Sequence, residues 1–215
     1  MTLEDGDQDD GESADNEGVD VGNVRDSYAS TNRIARGLVG GFLTKFESLV
    51  ALTGARDVHE VGCGQGELSI RLAENGINVR GSDVSNLLIE EARHCASDAG
   101  VTVPFKVASI YDLEAAADSA TLVVACEMLE HLEDPERGLE VLSKLANPYL
   151  LVSVPREPIW RVLNVARGRY LKHWGNTPGH LQHWSKRRFL AFVGSRFDVV
   201  EVDSPFPWTM VLCKT

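Results

Sequence analysis

The stretch "VHEVGCGQGE", residues 58–67, places glycines at 62, 64 and 66 directly after an apolar run, and its reading decides the fold. Glycine at every second position strips side chains from a turn whose backbone must approach something closely. A phosphate loop of the Gly-x-x-x-x-Gly-Lys-Ser/Thr kind is excluded, because no Lys follows Gly62 at the required spacing. The dinucleotide fingerprint Gly-x-Gly-x-x-Gly fails as well: its third glycine would fall at residue 67, which is Glu67. An acid, Glu60, stands just before the first glycine. Such a turn suits a cationic, non-phosphorylated nucleoside that lies against bare peptide and offers an amine or hydroxyl to a carboxylate.

Outward from this turn, short β-rich runs alternate with helical ones. "DVHEV", "INVRGSD", "TVPFKVAS", "ATLVVAC", "YLLVSVP", "DVVEVDS" and "WTMVLCK" read as strands, and "ELSIRLAENG", "NLLIEEARHCASDAG", "DPERGLEVLSKLAN" and "RRFLAFVGSRF" as helices. A leading helix within residues 24–53 precedes them, with a break predicted at Gly40-Gly41. The alternation predicts an α/β fold with a doubly wound, mostly parallel sheet covered on both faces.

With 215 residues and 43% hydrophobic content, the chain can bury about 70% of its unfolded surface as one domain. Its net charge of −11 is uneven: residues 1–20 hold nine acids and no base. Residues 1–22 therefore read as an acidic disordered tail, since they cannot bury enough apolar area to offset ordering entropy. No secretory leader and no apolar run of spanning length is read, so a cytoplasmic location is expected. Cys63, Cys95, Cys126 and Cys213 are scattered without a Cys-x-x-Cys pair, which argues against a zinc ribbon or a disulfide framework.

One connection is too long to be ordinary. Residues 156–188 carry eight bases against one acid, interleaved with Trp160, Tyr170, Trp174 and Trp184. A basic lid over the site, a phosphate-binding surface for an anionic acceptor or nucleic acid, and peripheral contact with an anionic membrane all fit this composition.

In open parallel sheets, ligands bind beyond the carboxyl ends of the strands, where the glycine turn lies. "GSDVS" ends the second strand and puts Asp83 where a carboxylate can hold both hydroxyls of a ribose, with capping of the next helix as its structural alternative. Together with "VACEMLEHLEDPERGL", these stretches resemble the class I S-adenosylmethionine-dependent methyltransferases over roughly residues 24–154, and "CEMLEHLEDP" resembles the O-methyltransferases of ubiquinone biosynthesis. The resemblance implies a seven-stranded Rossmann-like sheet with an antiparallel last strand, spanning a domain of residues 23–215, and S-adenosylmethionine as cofactor. It implies cofactor contacts from Glu60, Gly62, Cys63, Gly64 and Gly66 around the methionine moiety, and from Asp83 and Val84 at the ribose. Ser109 and Ile110 of "ASIYDL" would meet the adenine, Ser109 standing where relatives commonly have Asp; Cys126 lies within the site, and Tyr28 would cover the cofactor.

Methyl transfer to a hydroxyl requires a base, which directs attention to His131 of "EMLEHL" and to His180 and His183 of "GHLQHWS". A second resemblance is to small-RNA 2′-O-methyltransferases, in which Glu-x-x-Glu-His and a later histidine bind a divalent metal. Glu127, Glu130, His131 and either His180 or His183 match that inventory, although no metal is assigned from sequence. The expected function is methylation of a small or medium-sized, anionic acceptor on oxygen. Metal-assisted RNA 2′-O-methylation and a non-catalytic S-adenosylmethionine-binding regulator are the alternatives.

Overall fold

A computed structural model of the chain describes residues 33–166, 170, 173–177 and 179–215. The acidic tail and Tyr28 lie outside these residues. The elements run α1 (Arg33–Thr53), β1 (Asp57–Val61), α2 (Glu67–Glu74), β2 (Asn78–Asp83), α3 (Asn86–Asp98), β3 (Phe105–Val107) and the one-turn α4 (Ala115–Asp118). Then come β4 (Ala120–Cys126), α5 (Pro135–Leu145), β5 (Ala146–Pro155), α6 (Ile159–Ala166), α7 (Lys186–Val193), β6 (Asp198–Asp203) and β7 (Trp208–Lys214). Short 3-10 turns cover Ile110–Asp112 and Leu129–His131.

The seven strands form one sheet in the order β3-β2-β1-β4-β5-β7-β6. β1 pairs in parallel with β2 and β4, as do β2 with β3 and β4 with β5, whereas β7 runs antiparallel to both β5 and β6. This is the predicted sheet with its antiparallel last strand. The order reverses between β1 and β4, so the glycine turn after β1 sits at the topological switch point. One apolar layer, including Phe46, Leu49, Ile89, Val58 and Leu122, fills the face under α1 and α3. The other, including Leu139, Leu142, Leu150, Val123 and Phe189, fills the face under α5 and α7.

Three elements differ from expectation. α1 runs unbroken through Gly40 and Gly41, because Val39, Phe42, Leu43 and Phe46 bury one helical stripe and outweigh a cost of about 1 kcal/mol per glycine. β3 shrinks to Phe105–Val107, as expected of an edge strand that touches only one neighbour. The long connection contains α6, which starts after Pro158 and presents Asn164 inward.

His59 of β1 is buried inside the sheet. Its Nδ1–H donates to the Asp118 carbonyl at 2.8 Å and its Nε2 lies 3.0 Å from Ser82 Oγ. Burial lowers its pKa, and both ring nitrogens have partners, so this histidine is a satisfied core residue.

Candidate functional site

The glycine turn closes the end of β1. Gly62, Gly64 and Gly66 all have left-handed φ, at 74°, 52° and 77°, but they serve different needs. A Cβ on Gly62 would lie 2.5 Å from Met128 Cγ, and one on Gly66 would lie 2.7 Å from Phe105 Cζ. A Cβ on Gly64 would meet no protein atom within 4 Å. Packing therefore demands two of the glycines, while the third faces open space at the carboxyl end of the sheet.

Asp83 holds the turn in place: its Oδ2 accepts from Gly64 N at 2.9 Å and its Oδ1 from Ser85 N at 2.9 Å. Ser85, not Asp83, caps α3 through Leu88 N. Each Asp83 oxygen keeps a second lone pair, and the half-buried carboxylate stays beside the glycine backbone. Val84, next along, is 72% exposed. The chain continues from β3 into Ser109, whose Oγ accepts from Tyr111 N, and then into the buried Ile110; Ala108 N donates to Asp83 O, so these residues adjoin the Asp83 end.

Glu60 is 4% exposed beneath the turn and accepts from Ser69 Oγ at 2.5 Å. Burial raises its carboxyl pKa to about 8, against the opposing pull of the Ser69 hydrogen bonds, with Asp83 and Glu67 adding repulsion. Burial likewise keeps the thiols of Cys63 and Cys126 protonated, which leaves both as small packing groups rather than nucleophiles.

A second group lies past β4. Glu127 has a left-handed φ of 55°, and its carboxylate is fixed by Ser153 Oγ at 2.9 Å and Trp208 Nε1 at 2.7 Å. Three residues on, Glu130 is 1% exposed and both of its carboxylate oxygens are buried without a hydrogen-bond partner. Burial first, and then the neighbouring Glu127 charge, pushes the Glu130 pKa well up, as burial also raises that of Glu127. His131 Nδ1 lies 2.9 Å from the Gly179 carbonyl, so Nδ1 carries the proton and Nε2 keeps its lone pair. Burial lowers the pKa of His131, and burial with His131 and His183 lowers that of His180 to about 4, so both rings are neutral near pH 7.

The long connection is tied onto this group. Leu181 N and Gln182 N both donate to Glu130 O, and Gln182 Nε2 donates to Leu132 O. The rings of His131 and His180 meet edge to face at 4.9 Å. Ligand atoms of Glu130, His131 and His180 all lie within 4.8 Å of one another. His183 is not brought into this cluster; exposed, it bonds Asn176 Oδ1 through Nε2. An aromatic run joins the cluster to α1: His180 to Trp160 at 6.4 Å, Trp160 to Trp208 at 5.8 Å, and Trp208 to Phe42 at 5.1 Å.

The sequence reading missed Ser153, Trp208 and Ser69 as anchors of the site acids. A lone serine within the apolar run "LLVSVP" was the available signal for Ser153. Nothing local marks Trp208, which sits 81 residues from Glu127.

Residues 58–148 match the family model described as "Methyltransferase domain". The ubiquinone biosynthesis O-methyltransferase of Xylella fastidiosa is 39% identical over 100 residues, which is 46% of this chain and 40% of that protein. The protein of the same name from Xanthomonas euvesicatoria is 36% identical over 124 residues, 56% of this chain and 52% of its own. The chain thus spans about half the length of the curated relatives it matches, or less. Magnesium protoporphyrin IX methyltransferase of Synechocystis with bound SAH superposes with a TM-score of 0.67 at 21% identity, covering 89% of this chain and 92% of that one. The methyltransferase domain of bacterial CtHen1 superposes at 0.64 with 18% identity, covering 83% and 100%. Residues 58–148 thus match a methyltransferase-domain family, and the sheet that carries them shares its fold with solved methyltransferases.

Proposed function

We propose that the chain transfers a methyl group from S-adenosylmethionine to an oxygen of a small or medium-sized anionic acceptor. One observation carries the reading: open space over Gly64 and the Asp83 carboxylate share the carboxyl end of the sheet with the buried Glu130 and the half-buried Glu127 and His131. Glu60, Gly62, Cys63, Gly64 and Gly66 would surround the methionine part, Asp83 and Val84 the ribose, and Ser109 and Ile110 the adenine, with Cys126 behind the sulfur.

In-line displacement needs the acceptor oxygen aligned with the methyl carbon and its proton removed. His131 Nε2 takes that proton while Nδ1–H stays held by the Gly179 carbonyl. The oxygen lone pair forms the new C–O bond, and the C–S bond breaks with its electron pair retained on sulfur. An anionic acceptor is favoured by the eight bases of residues 156–188, two of which, Arg156 and Arg161, have Nε atoms buried without partners. In assays with tritiated donor and a panel of carboxylated phenols, His131→Ala should lower turnover by about 10²–10⁴. Affinity for S-adenosylhomocysteine, measured by calorimetry, should stay within about twofold. Equal losses of both would reduce His131 to a structural part.

A second reading, metal-assisted methylation of RNA, rests on Glu130, whose orphaned buried carboxylate beside two neutral imidazoles suits a divalent cation. Glu130, His131 and His180 would hold the ion, which when bound would polarise an acceptor oxygen. This use and general-base catalysis compete for His131 Nε2. Titration with Mn²⁺ decides between them: stoichiometric binding that Glu130→Gln abolishes favours the metal, and heatless titration removes it.

A further inference from the structure

We infer that Tyr111 is a positioning residue that ties the turn beside the adenine to the turn that carries His131. The inference rests on the methyl-transfer reading, which assigns Ser109 and Ile110 to the cofactor and His131 to the acceptor proton. The two turns belong to different βα units. Ile110–Asp112 follows β3 at the edge of the sheet, and Leu129–His131 follows β4, with β2 and β1 lying between those strands. No direct strand pairing sets the separation of the turns, so side chains must bridge it.

Tyr111 spans the gap. Its hydroxyl donates to the Asp134 carbonyl at 3.1 Å and accepts from the Asp134 amide at 3.3 Å. A phenol does both at once, having one O–H and free lone pairs on the same atom. The Asp134 carbonyl also accepts from Gly138 N at 3.0 Å, and the Asp134 side chain caps α5 through Arg137 N at 3.0 Å. At its other end Tyr111 is held by Ser109, whose Oγ accepts from Tyr111 N at 3.3 Å. The Arg137 guanidinium lies 4.7 Å from the centre of the Tyr111 ring, which closes a loop from Ser109 through Tyr111 to the first turn of α5. A second contact runs alongside: a Cβ on Gly138 would collide with Leu132 Cδ1 and touch Ile110 Cδ1 at 3.7 Å, so the neighbours of His131 and Tyr111 meet over that glycine.

The hydroxyl contributes geometry more than stability. Tyr111 is half-buried and Asp134 exposed, so water competes for both hydrogen bonds and their net worth is small. A Phe at this position would fill the same space under Arg137 and lose only the link to Asp134. His131 stands three residues before Asp134, in a turn closed by His131 N to Met128 O at 3.1 Å and Leu132 N to Leu129 O at 3.3 Å. A displacement of Asp134 therefore reaches the imidazole through two intervening residues. A ligand that orders Ser109 and Ile110 thereby sets His131 before an acceptor arrives, which makes cofactor binding the first step.

The test reads amide resonances of the full chain by NMR, in EDTA so that no metal reaches His131 or His180. Saturating S-adenosylhomocysteine should shift the amides of His131, Leu132 and Gly138 in the native protein. In Tyr111→Phe those shifts should shrink by about three-quarters or more, while calorimetry finds affinity for the ligand within about threefold of native. Arg137→Gln leaves the hydroxyl pair in place and should keep the native shifts, which separates the hydrogen bonds from the ring contact. A merely structural Tyr111 would lower the melting temperature of the Phe variant and leave the shifts intact, and that result overturns the inference. Native protein that binds the ligand with these amides unmoved overturns it too, without recourse to any variant. Failure of the native protein to bind S-adenosylhomocysteine at all would overturn the methyl-transfer reading, and the inference with it.

Discussion

Gly64→Val is expected to lower affinity for S-adenosylhomocysteine by more than about 100-fold while the chain remains folded. A Cβ at Gly64 meets no protein atom within 4 Å, so the added side chain starts into open space. What it takes is the volume that the proposed cofactor would occupy against the peptide. The same substitution at Gly62 or Gly66 would drive into Met128 or Phe105 and act on folding. Strain is not absent at Gly64, since φ is 52° and a left-handed conformation costs a non-glycine residue on the order of 1–3 kcal/mol. Gly64→Ala carries that strain with less bulk and separates the two effects. Thermal melting should show a similar modest loss for both variants, and calorimetry a far larger loss of affinity for Val than for Ala. Near-native affinity in a folded Gly64→Val protein would place the cofactor elsewhere.

Why the glycines differ shows what the sequence could carry. The parallel sheet was legible because strand and helix periods alternate along the chain, and each βαβ step leaves a local trace. The turn and Asp83 were legible because both follow strands. The reasons for Gly62 and Gly66 were not, since Met128, Phe105 and Ala92 reach them from the turn after β4, from β3 and from α3. Asp83 reads as a ribose ligand or a cap, and the structure shows a third employment, accepting from the Gly64 amide across 19 residues. The connection after β5 reads as a basic helical lid or a phosphate- or membrane-binding surface, and the structure puts a two-turn helix, α6, in its first part, with Asn164 binding the turn at 175–177. Likewise, "GHLQHWS" offers two equivalent histidines. The backbone then sends Leu181 and Gln182 to Glu130 O, which brings His180 against His131 and leaves His183 with Asn176.

Affinity for S-adenosylhomocysteine should rise about 50-fold between pH 6 and pH 8, and Glu60 is the reason. The free carboxyl is held near pKa 8 because burial penalises its charged form more than Ser69 stabilises it. An ammonium group placed beside it favours the carboxylate, so below pH 8 binding must first expel the Glu60 proton. That coupling weakens the observed affinity about tenfold for each unit of pH below the free-state value. Above pH 8 Glu60 is ionised in the free protein as well, so the gain levels off there. Calorimetry at pH 6.5 in two buffers of different ionisation enthalpy should count close to one proton released per ligand bound. Glu60→Gln, which cannot ionise, should flatten the acid limb and release none. A profile already flat in the native protein, with no proton exchanged, would mean that Glu60 serves only to anchor Ser69 at the start of α2.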